Sequence, residues 1–211
     1  MFSGAIFDID GTILDTMGVW REITLNFLLK KGITPTQEEM DNYRDLSMAE
    51  TMQYTKVQFN LPESVEELQD GFEKLSREKY MYEVPAKPYI KEYMEKLKRE
   101  GVKIGVATSG YPELWQHALK RLGMLDLIDG YALTSETGVN KSHPDVYLLA
   151  AERIGVAPSE CMVFEDIVSG IVGAKKGGMM ATAIYDESNK DRTEEFKKLA
   201  DRYIVSWKEL L

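Results

Sequence analysis

The second half of the chain alternates short apolar runs with segments of helical spacing, and this alternation constrains the fold more than any other feature. After Pro88 a helix-like segment leads through Gly101 to an apolar run, and the same order repeats to the C-terminus. Strands and helices that alternate in this way build a parallel sheet, because each helix returns the chain to the edge where the next strand starts. The sequence therefore predicts an α/β fold with a doubly wound, Rossmann-like parallel sheet. Its strands are expected near residues 102–107, 131–133, 162–164, 181–184 and 203–205.

A purely helical stretch separates a first apolar strand, at residues 5–7, from this alternating part. Its capping-box pairs predict helix starts, and its apolar spacing predicts about four helices with no convincing strand. The capping-box pairs are Thr36 with Glu39, Ser47 with Glu50, and Ser64 with Glu67. Pro85 and Pro88 then mark a boundary. We expect an α/β core of residues 1–14 and 86–211, with a four-helix domain of residues 15–85 inserted into it.

Polar side chains follow several of the predicted strands, at the point where each strand ends. Ligands of open α/β sheets bind outside the carboxyl ends of the strands, so these side chains are expected to converge on one site. They are Asp8 and Asp10, Thr108 and Ser109, Lys141, and Glu165 and Asp166.

The chemistry of this set is that of a metal-assisted phosphate site. Carboxylates gathered in one cleft repel each other unless a hard cation neutralises them, and Mg²⁺ prefers such oxygen ligands. The Thr108 hydroxyl and the backbone N–H groups at Ser109, which open a helix, suit an anion, and Lys141 adds a positive charge. The sequence thus predicts Mg²⁺ as cofactor and a phosphorylated molecule as substrate.

Composition excludes several other classes of function. The chain has 26 Lys and Arg residues against 35 Asp and Glu, a net charge of −9, which disfavours nucleic-acid binding. No apolar run is long enough to span a bilayer, and the N-terminus lacks the basic region of a signal peptide. A single cysteine, Cys161, suits a reducing compartment. We expect a cytoplasmic, monomeric protein without nucleic-acid or membrane partners.

Residues 8–12, Asp-Ile-Asp-Gly-Thr, resemble the DxDGT signature of the haloacid dehalogenase-like phosphohydrolases. Thr108, Lys141 and Glu165–Asp166 fall in order at the second, third and fourth motifs of that family, so the resemblance spans essentially the whole chain. A helical cap inserted after the first motif is similar to the subgroup of sugar-phosphate phosphatases and β-phosphoglucomutase. Four ordered motifs are far more specific than a lone pair of aspartates.

The resemblance implies two catalytic roles. Asp8 would be the nucleophile that attacks phosphorus and forms an aspartyl-phosphate. Asp10 would protonate the leaving oxygen and later deprotonate the attacking water. Thr108, Ser109 and Lys141 would bind the transferring phosphoryl group.

The resemblance also implies a ligand set for Mg²⁺. The Asp8 side chain, the backbone carbonyl of Asp10 and the Asp166 side chain would hold the ion. Glu165 would support these ligands without touching the metal.

The cap loop at residues 43–48 bears on the choice between hydrolysis and isomerisation. The mutase branch carries an arginine after the serine of this loop to hold a second phosphate, whereas this chain has Met48. Trp20 also stands where that branch usually has histidine, although Arg44 could compensate for the missing arginine. We therefore expect a phosphatase acting on a small phosphorylated metabolite, a sugar phosphate, with a β-phosphoglucomutase-type isomerase as the alternative.

Two other classes of protein use related features. A non-catalytic receiver domain also has a phospho-accepting aspartate, acidic metal ligands, a hydroxyl and a lysine, but the helical insertion and Asp10 speak against it. A nucleotide-binding module of the Rossmann type is rejected, because no GxGxxG follows the first strand.

Overall fold

The computed structural model describes residues 2–43, 46 and 48–211, and in this part of the chain a six-stranded parallel sheet forms the centre of the fold. The spatial order of the strands is β3-β2-β1-β4-β5-β6, with every neighbouring pair parallel. The strands are β1 Gly4–Phe7, β2 Lys103–Thr108, β3 Gly130–Leu133, β4 Cys161–Glu165, β5 Met180–Ile184 and β6 Arg202–Ile204. The predicted doubly wound α/β class is confirmed.

Helices cover both faces of this sheet. Alternate residues of β1 point to opposite faces, so Phe7 packs into one apolar cluster and Ile6 into another. The Phe7 cluster draws on α5 (Ile90–Arg99) and α6 (Pro112–Arg121). The Ile6 cluster draws on α8 Asp145–Ile154, α9 Val168–Lys176 and α10 Thr193–Leu199. Burial on both faces explains why the central strands read as continuous apolar runs.

In the described part of the segment inserted after the first strand there are four helices: α1 Met17–Lys30, α2 Gln37–Asp41, α3 Met48–Gln58 and α4 Val65–Tyr82. Thr36 and Ser64 each form the predicted capping box, with Glu39 and Glu67 respectively, while Ser47 lies outside the described residues. The apolar sides of these helices meet in a small cluster of their own: Ile23, Phe27, Met52, Leu68 and Phe72. Its aromatic rings pack edge to face, as Phe27 does on Phe72 at 5.4 Å.

The two connections between this helical segment and the sheet run side by side. The Asp15 N–H donates to the Pro85 carbonyl at 2.9 Å, and the Lys87 N–H donates to the Ile13 carbonyl at 2.9 Å. The Lys87 ammonium also lies 3.2 Å from Asp15 Oδ1 and 2.5 Å from Asp186 Oδ2, which follows β5. Division of the chain into a cap of residues 15–85 and a core stays a prediction.

A short helix, α7 (Thr134–Thr137), follows β3 and leads into the loop that carries Lys141. Single 3-10 turns occupy Leu125–Leu127, Pro158–Glu160 and Trp207–Leu210, and a longer 3-10 segment spans Glu187–Arg192. No helix among the described residues has both the length and the apolar character needed to cross a membrane.

Candidate active site

The polar residues predicted from the strand ends line one cavity at the carboxyl edge of the sheet, except Glu165, which is buried behind it in contact with Lys141. Asp8 follows β1, Thr108 ends β2, and Asp166 follows β4 directly. Lys141 reaches the same place from the loop between α7 and α8. The cavity has a volume of about 1020 Å³ and lies between this edge and the inserted helices, which contribute Arg21, Gln37, Asp41 and Thr51.

Lys141 bridges two carboxylates at the floor of the cavity. Its ammonium lies 2.5 Å from Asp8 Oδ1 and 2.6 Å from Glu165 Oε1, and all three side chains are buried. Tyr147, on α8, donates a second hydrogen bond to Glu165 Oε1 at 2.7 Å. Burial alone would lower the pKa of Lys141, but the charges of Asp8 and Glu165 raise it above its ordinary value. The lysine is therefore a permanent cation beside the Asp8 carboxylate.

Asp8, Glu165 and Asp166 form a buried acidic cluster, with one oxygen of each lying within 4.8 Å of the others. Glu165 Oε2 and Asp166 Oδ2 are buried without any hydrogen-bond partner. Unpartnered buried oxygens of this kind are costly unless a proton or a cation compensates them. Burial, followed by the charges of Asp8 and Glu165, raises the pKa of Asp166 well above its ordinary value. The donor set fits a hard divalent cation, which would relieve this repulsion.

Two hydrogen bonds and a close-packed glycine hold Asp166 in place. Thr12 Oγ1 donates to Asp166 Oδ1 at 3.1 Å, and Asn189 Nδ2 donates to the Asp166 carbonyl at 3.1 Å. Gly11 has a φ of +81°, and a Cβ there would lie 2.1 Å from Asp166 Oδ2. The glycine of the first motif is thus required both by its backbone conformation and by the closeness of the carboxylate.

Asp10 lines the same cavity as Asp8 and Asp166. Tyr80, near the end of α4, donates its hydroxyl to Asp10 Oδ1. Burial and the charge of Asp8 raise the pKa of Asp10, while hydrogen bonds from Tyr80, Thr16 and Trp20 act in the lowering direction. A carboxyl group with a raised pKa that also faces a cleft suits general acid–base chemistry.

The turn after β2 offers the polar groups expected for an anion. The Gly110 N–H donates to Thr108 Oγ1 at 2.9 Å, which leaves the hydroxyl proton of Thr108 for another acceptor. Ser109 Oγ accepts from Thr134 Oγ1 at 3.1 Å and lies on the cavity wall. Thr108 is buried and Ser109 is exposed, so only the threonine is held rigidly by packing.

The predicted substrate contact Arg44 lies outside the described residues. Met48 begins α3, but its side chain also lies outside them. On the described wall, Arg21 faces the cavity with its guanidinium 3.3 Å from Asp41 Oδ1 and 2.9 Å from Gln37 Oε1.

Four further residues support the site and were missed by sequence reasoning: Thr12, Tyr80, Tyr147 and Asn189. Their partners are 154, 70, 18 and 23 residues away along the chain, respectively. A single sequence carries no signal for contacts over such separations, because neither periodicity nor a local motif links the two positions. Only Thr12, inside the first motif, stood close to a predicted site residue.

A family model described as haloacid dehalogenase-like hydrolase matches residues 5–184, from β1 to the end of β5. The chain belongs to the haloacid dehalogenase-like hydrolases. The resemblance drawn from residues 8–12, Thr108, Lys141 and Glu165–Asp166 is therefore confirmed, and the chain is an enzyme of a hydrolase family.

Relatives of known name include both a hydrolase and a mutase. Hexitol phosphatase B of Escherichia coli strain K12 is 25% identical over 185 residues, covering 85% of this chain and 82% of that protein. The β-phosphoglucomutase of Bacillus subtilis strain 168 is 30% identical over 199 residues, covering 85% and 81%. The crystal structure of CbbY from Rhodobacter sphaeroides in complex with phosphate has a TM-score of 0.87 at 22% identity, covering 100% of this chain and 96% of that one. It supports the fold.

Proposed function

We propose that this protein is a Mg²⁺-dependent phosphatase that hydrolyses a small phosphorylated metabolite, a sugar phosphate, through a phosphorylated Asp8. The observation that carries the proposal is the setting of Asp8. Its carboxylate lies between the Lys141 ammonium at 2.5 Å and the buried cluster with Glu165 and Asp166, at the floor of a cavity. A second carboxyl, Asp10, follows two residues later and has a raised pKa.

In the first half of the reaction, an oxygen of Asp8 attacks the phosphorus of the substrate. The new Asp8–phosphorus bond forms as the bond from phosphorus to the ester oxygen breaks, and Asp10 gives its proton to that departing oxygen. The raised pKa of Asp10 favours the protonated form that this step requires. Lys141 and the Thr108 hydroxyl stabilise the negative oxygens of the phosphoryl group during transfer.

In the second half, water replaces the alcohol product. Asp10, now ionised, takes a proton from the water molecule while the water oxygen attacks phosphorus. The Asp8–phosphorus bond breaks, inorganic phosphate leaves, and both aspartates return to their starting states. The inserted helices line the other side of the cavity.

Asp8 and Asp166, with the backbone carbonyl of Asp10, would hold the Mg²⁺ ion. Glu165 pairs with Lys141 through Oε1, and its unpartnered Oε2 is available to interact with the cation. When bound, the ion would neutralise the carboxylates and draw electron density from a phosphoryl oxygen.

The cavity wall favours a substrate with one phosphate. On its described part, the cation of the inserted helices is Arg21, and it is already engaged by Asp41 and Gln37. Lys87, Lys190 and Arg192 also line the described wall, and each of them is paired with a carboxylate. Hydroxyl groups of a sugar suit these carboxylate and amide groups better than a second phosphate does, and the hexitol phosphatase relative supports this substrate class.

A screen for phosphate release over phosphorylated sugars, nucleotides and small acids, with Mg²⁺ and with a chelator, tests the proposal. We expect release from at least one sugar phosphate with Mg²⁺ and none with Asp8→Asn. Asp126→Asn, the same change at an exposed position far from the cavity, serves as the control and should keep full activity. Turnover that survives Asp8→Asn would refute the assigned nucleophile. A stable phosphorylated Asp8 without turnover would favour the receiver domain instead.

The β-phosphoglucomutase relative keeps the isomerase as a second candidate. Both activities use the same phosphorylated aspartate, and they differ in which acceptor removes the phosphoryl group. Incubation with β-glucose 1-phosphate and a catalytic amount of the bisphosphate separates them. If glucose 6-phosphate appears faster than inorganic phosphate, the mutase is the correct assignment.

A further inference from the structure

The general acid–base Asp10 accepts hydrogen bonds from the inserted helical segment, among them one from Tyr80. Tyr80 stands in the last turn of α4, and its hydroxyl donates to Asp10 Oδ1. The tyrosine is only 1% exposed, so packing holds its side chain in place. Although it belongs to the inserted helices, its ring packs into the apolar cluster on the sheet that also holds Ile9 and Ile13.

The hydrogen bond leaves the other oxygen of Asp10 directed at the phosphate-binding turn. A Cβ built on Gly110 would lie 3.0 Å from Asp10 Oδ2 and 3.3 Å from Thr108 Oγ1. Asp10 Oδ2 therefore stands next to the turn in which Thr108 is expected to receive the phosphoryl group. With Oδ1 fixed by Tyr80, the carboxyl group can turn about its bonds only by breaking that hydrogen bond.

Tyr80 itself is held from two sides. Its ring lies 5.4 Å from that of Trp20, and Trp20 stacks on Phe72 at 5.8 Å with an interplanar angle of 4°. Just beyond the tyrosine, Arg121 on α6 donates to the Val84 carbonyl at 2.5 Å, which ties the end of α4 to a helix of the sheet domain. Packing of this kind fixes a polar group to the accuracy that proton transfer requires.

We propose that Tyr80 is a positioning residue for the acid–base step: by fixing Asp10 Oδ1, it aims Oδ2 at the ester oxygen of the substrate. The inference rests on the proposed phosphatase function. In the step it serves, the proton on Asp10 Oδ2 passes to the departing oxygen as the bond from phosphorus to that oxygen breaks. Because Tyr80 comes from the inserted helices, the seating of those helices on the sheet domain and the orientation of Asp10 are linked.

If Tyr80 positions Asp10 for proton donation, the effect of removing its hydroxyl depends on the leaving group of the substrate. An alkyl phosphate such as a sugar phosphate expels a strongly basic alkoxide and needs the proton, whereas p-nitrophenyl phosphate expels a weakly basic phenolate and does not. The ratio kcat/KM reports the reaction through formation of the phosphorylated aspartate, so it isolates the acid role of Asp10 from its later role as base. A purely structural contribution of Tyr80 would reduce both substrates equally.

The test compares Tyr80→Phe with wild type on a sugar phosphate and on p-nitrophenyl phosphate. We expect kcat/KM for the sugar phosphate to fall roughly 10- to 100-fold, part of the usual general-acid contribution, and that for p-nitrophenyl phosphate to change less than about threefold. Tyr93→Phe is the matched control, because Tyr93 is buried in the same apolar cluster and packs on Trp207 at 5.4 Å. It should leave both values unchanged.

Arg121→Met offers a second variant if Tyr80→Phe does not fold, since it removes the hydrogen bond to the Val84 carbonyl that ties the end of α4 to α6. It should produce the same selective loss. An equal loss on both substrates, in whichever variant folds, overturns the positioning role while leaving the phosphatase proposal intact. If the wild type releases phosphate from neither substrate with Mg²⁺, the proposed function fails and the inference falls with it.

Discussion

Gly173 tests how tightly the position of Lys141 depends on the helix beneath it. This glycine lies in α9, and a Cβ there would be 2.0 Å from the carbonyl oxygen of Lys141 and 2.7 Å from that of His143. Real Cβ contacts essentially never fall below 3.0 Å. Replacement by alanine must therefore move the Lys141 loop away from α9 by about 1 Å. The surrounding groups resist this shift, because protein interiors are packed almost as densely as organic crystals.

The expected effect of Gly173→Ala is large on activity and moderate on stability. Crowding of this kind lowers the free energy of unfolding by about 1–3 kcal/mol, and the better helix propensity of alanine raises it by about 1 kcal/mol. A shift of about 1 Å in a group that must hold the reacting centre can lower the rate about 100-fold. Lys141 now lies 2.5 Å from Asp8, so it has little room to follow its displaced backbone.

Phosphate release by Gly173→Ala, together with urea unfolding, provides the assay. Gly71→Ala is the control, because Gly71 is also a helical glycine but its Cβ would meet only Phe27 at an ordinary 3.4 Å. We expect about a 100-fold loss of kcat for Gly173→Ala and no loss for Gly71→Ala. Wild-type kcat in a folded Gly173→Ala protein would refute the account of how Lys141 is placed.

Three further predictions concern the buried charges. Mg²⁺ should raise the melting temperature of the wild type. Without metal, Asp166→Asn should melt at a higher temperature than the wild type, because the substitution removes the unpartnered buried carboxylate, and its melting temperature should no longer change when Mg²⁺ is added. Burial raises the pKa values of Glu165 and Asp166 in the fold, so the stability that these two groups contribute without metal is fully present below the ordinary carboxyl range and is lost as pH rises through their raised pKa values. The stability gained by Asp166→Asn over the wild type should therefore grow with pH in urea titrations, and Mg²⁺ should suppress that trend. Lys87→Met should cost about 3 kcal/mol in urea unfolding, because it leaves Asp186 buried without its counterion, and Asp186→Asn in the same chain should recover part of that loss; an unchanged stability would contradict this role of the pair.

The central strands could be predicted because both of their faces are buried. Strand β1 is buried along its whole length, so its apolar run is continuous in the sequence. Edge strand β3 was a weaker prediction for a physical reason: it is paired on one side only, and Tyr131 within it is exposed. The short helix α7 was not predicted, since four residues give no helical period to read.

The candidate site divides in the same way. Asp8, Lys141 and Asp166 could be brought together from the sequence, because parallel strands end at a common edge and their loops share it. The hydrogen bonds of Tyr80 and Tyr147 could not, because they depend on how helices pack on the sheet, and a tyrosine in an amphipathic helix reads as ordinary core. Both tyrosine hydroxyls donate hydrogen bonds to carboxylates of the candidate site, and these bonds are seen only once the helices are packed on the sheet.

The central claim is that Asp8 carries the phosphoryl group during turnover. Its most direct test starts from a sugar phosphate that the protein has been found to hydrolyse. The reaction with Mg²⁺ is quenched with acid within the first turnover, and the peptides are then analysed by mass spectrometry. We predict that the peptide containing Asp8 gains the mass of one phosphoryl group, with fragmentation placing it on Asp8 and not on Asp10, and that the added mass disappears as phosphate is released. Full release of phosphate with no phosphorylated Asp8 at any quench time, or with the group on another residue, would contradict the account.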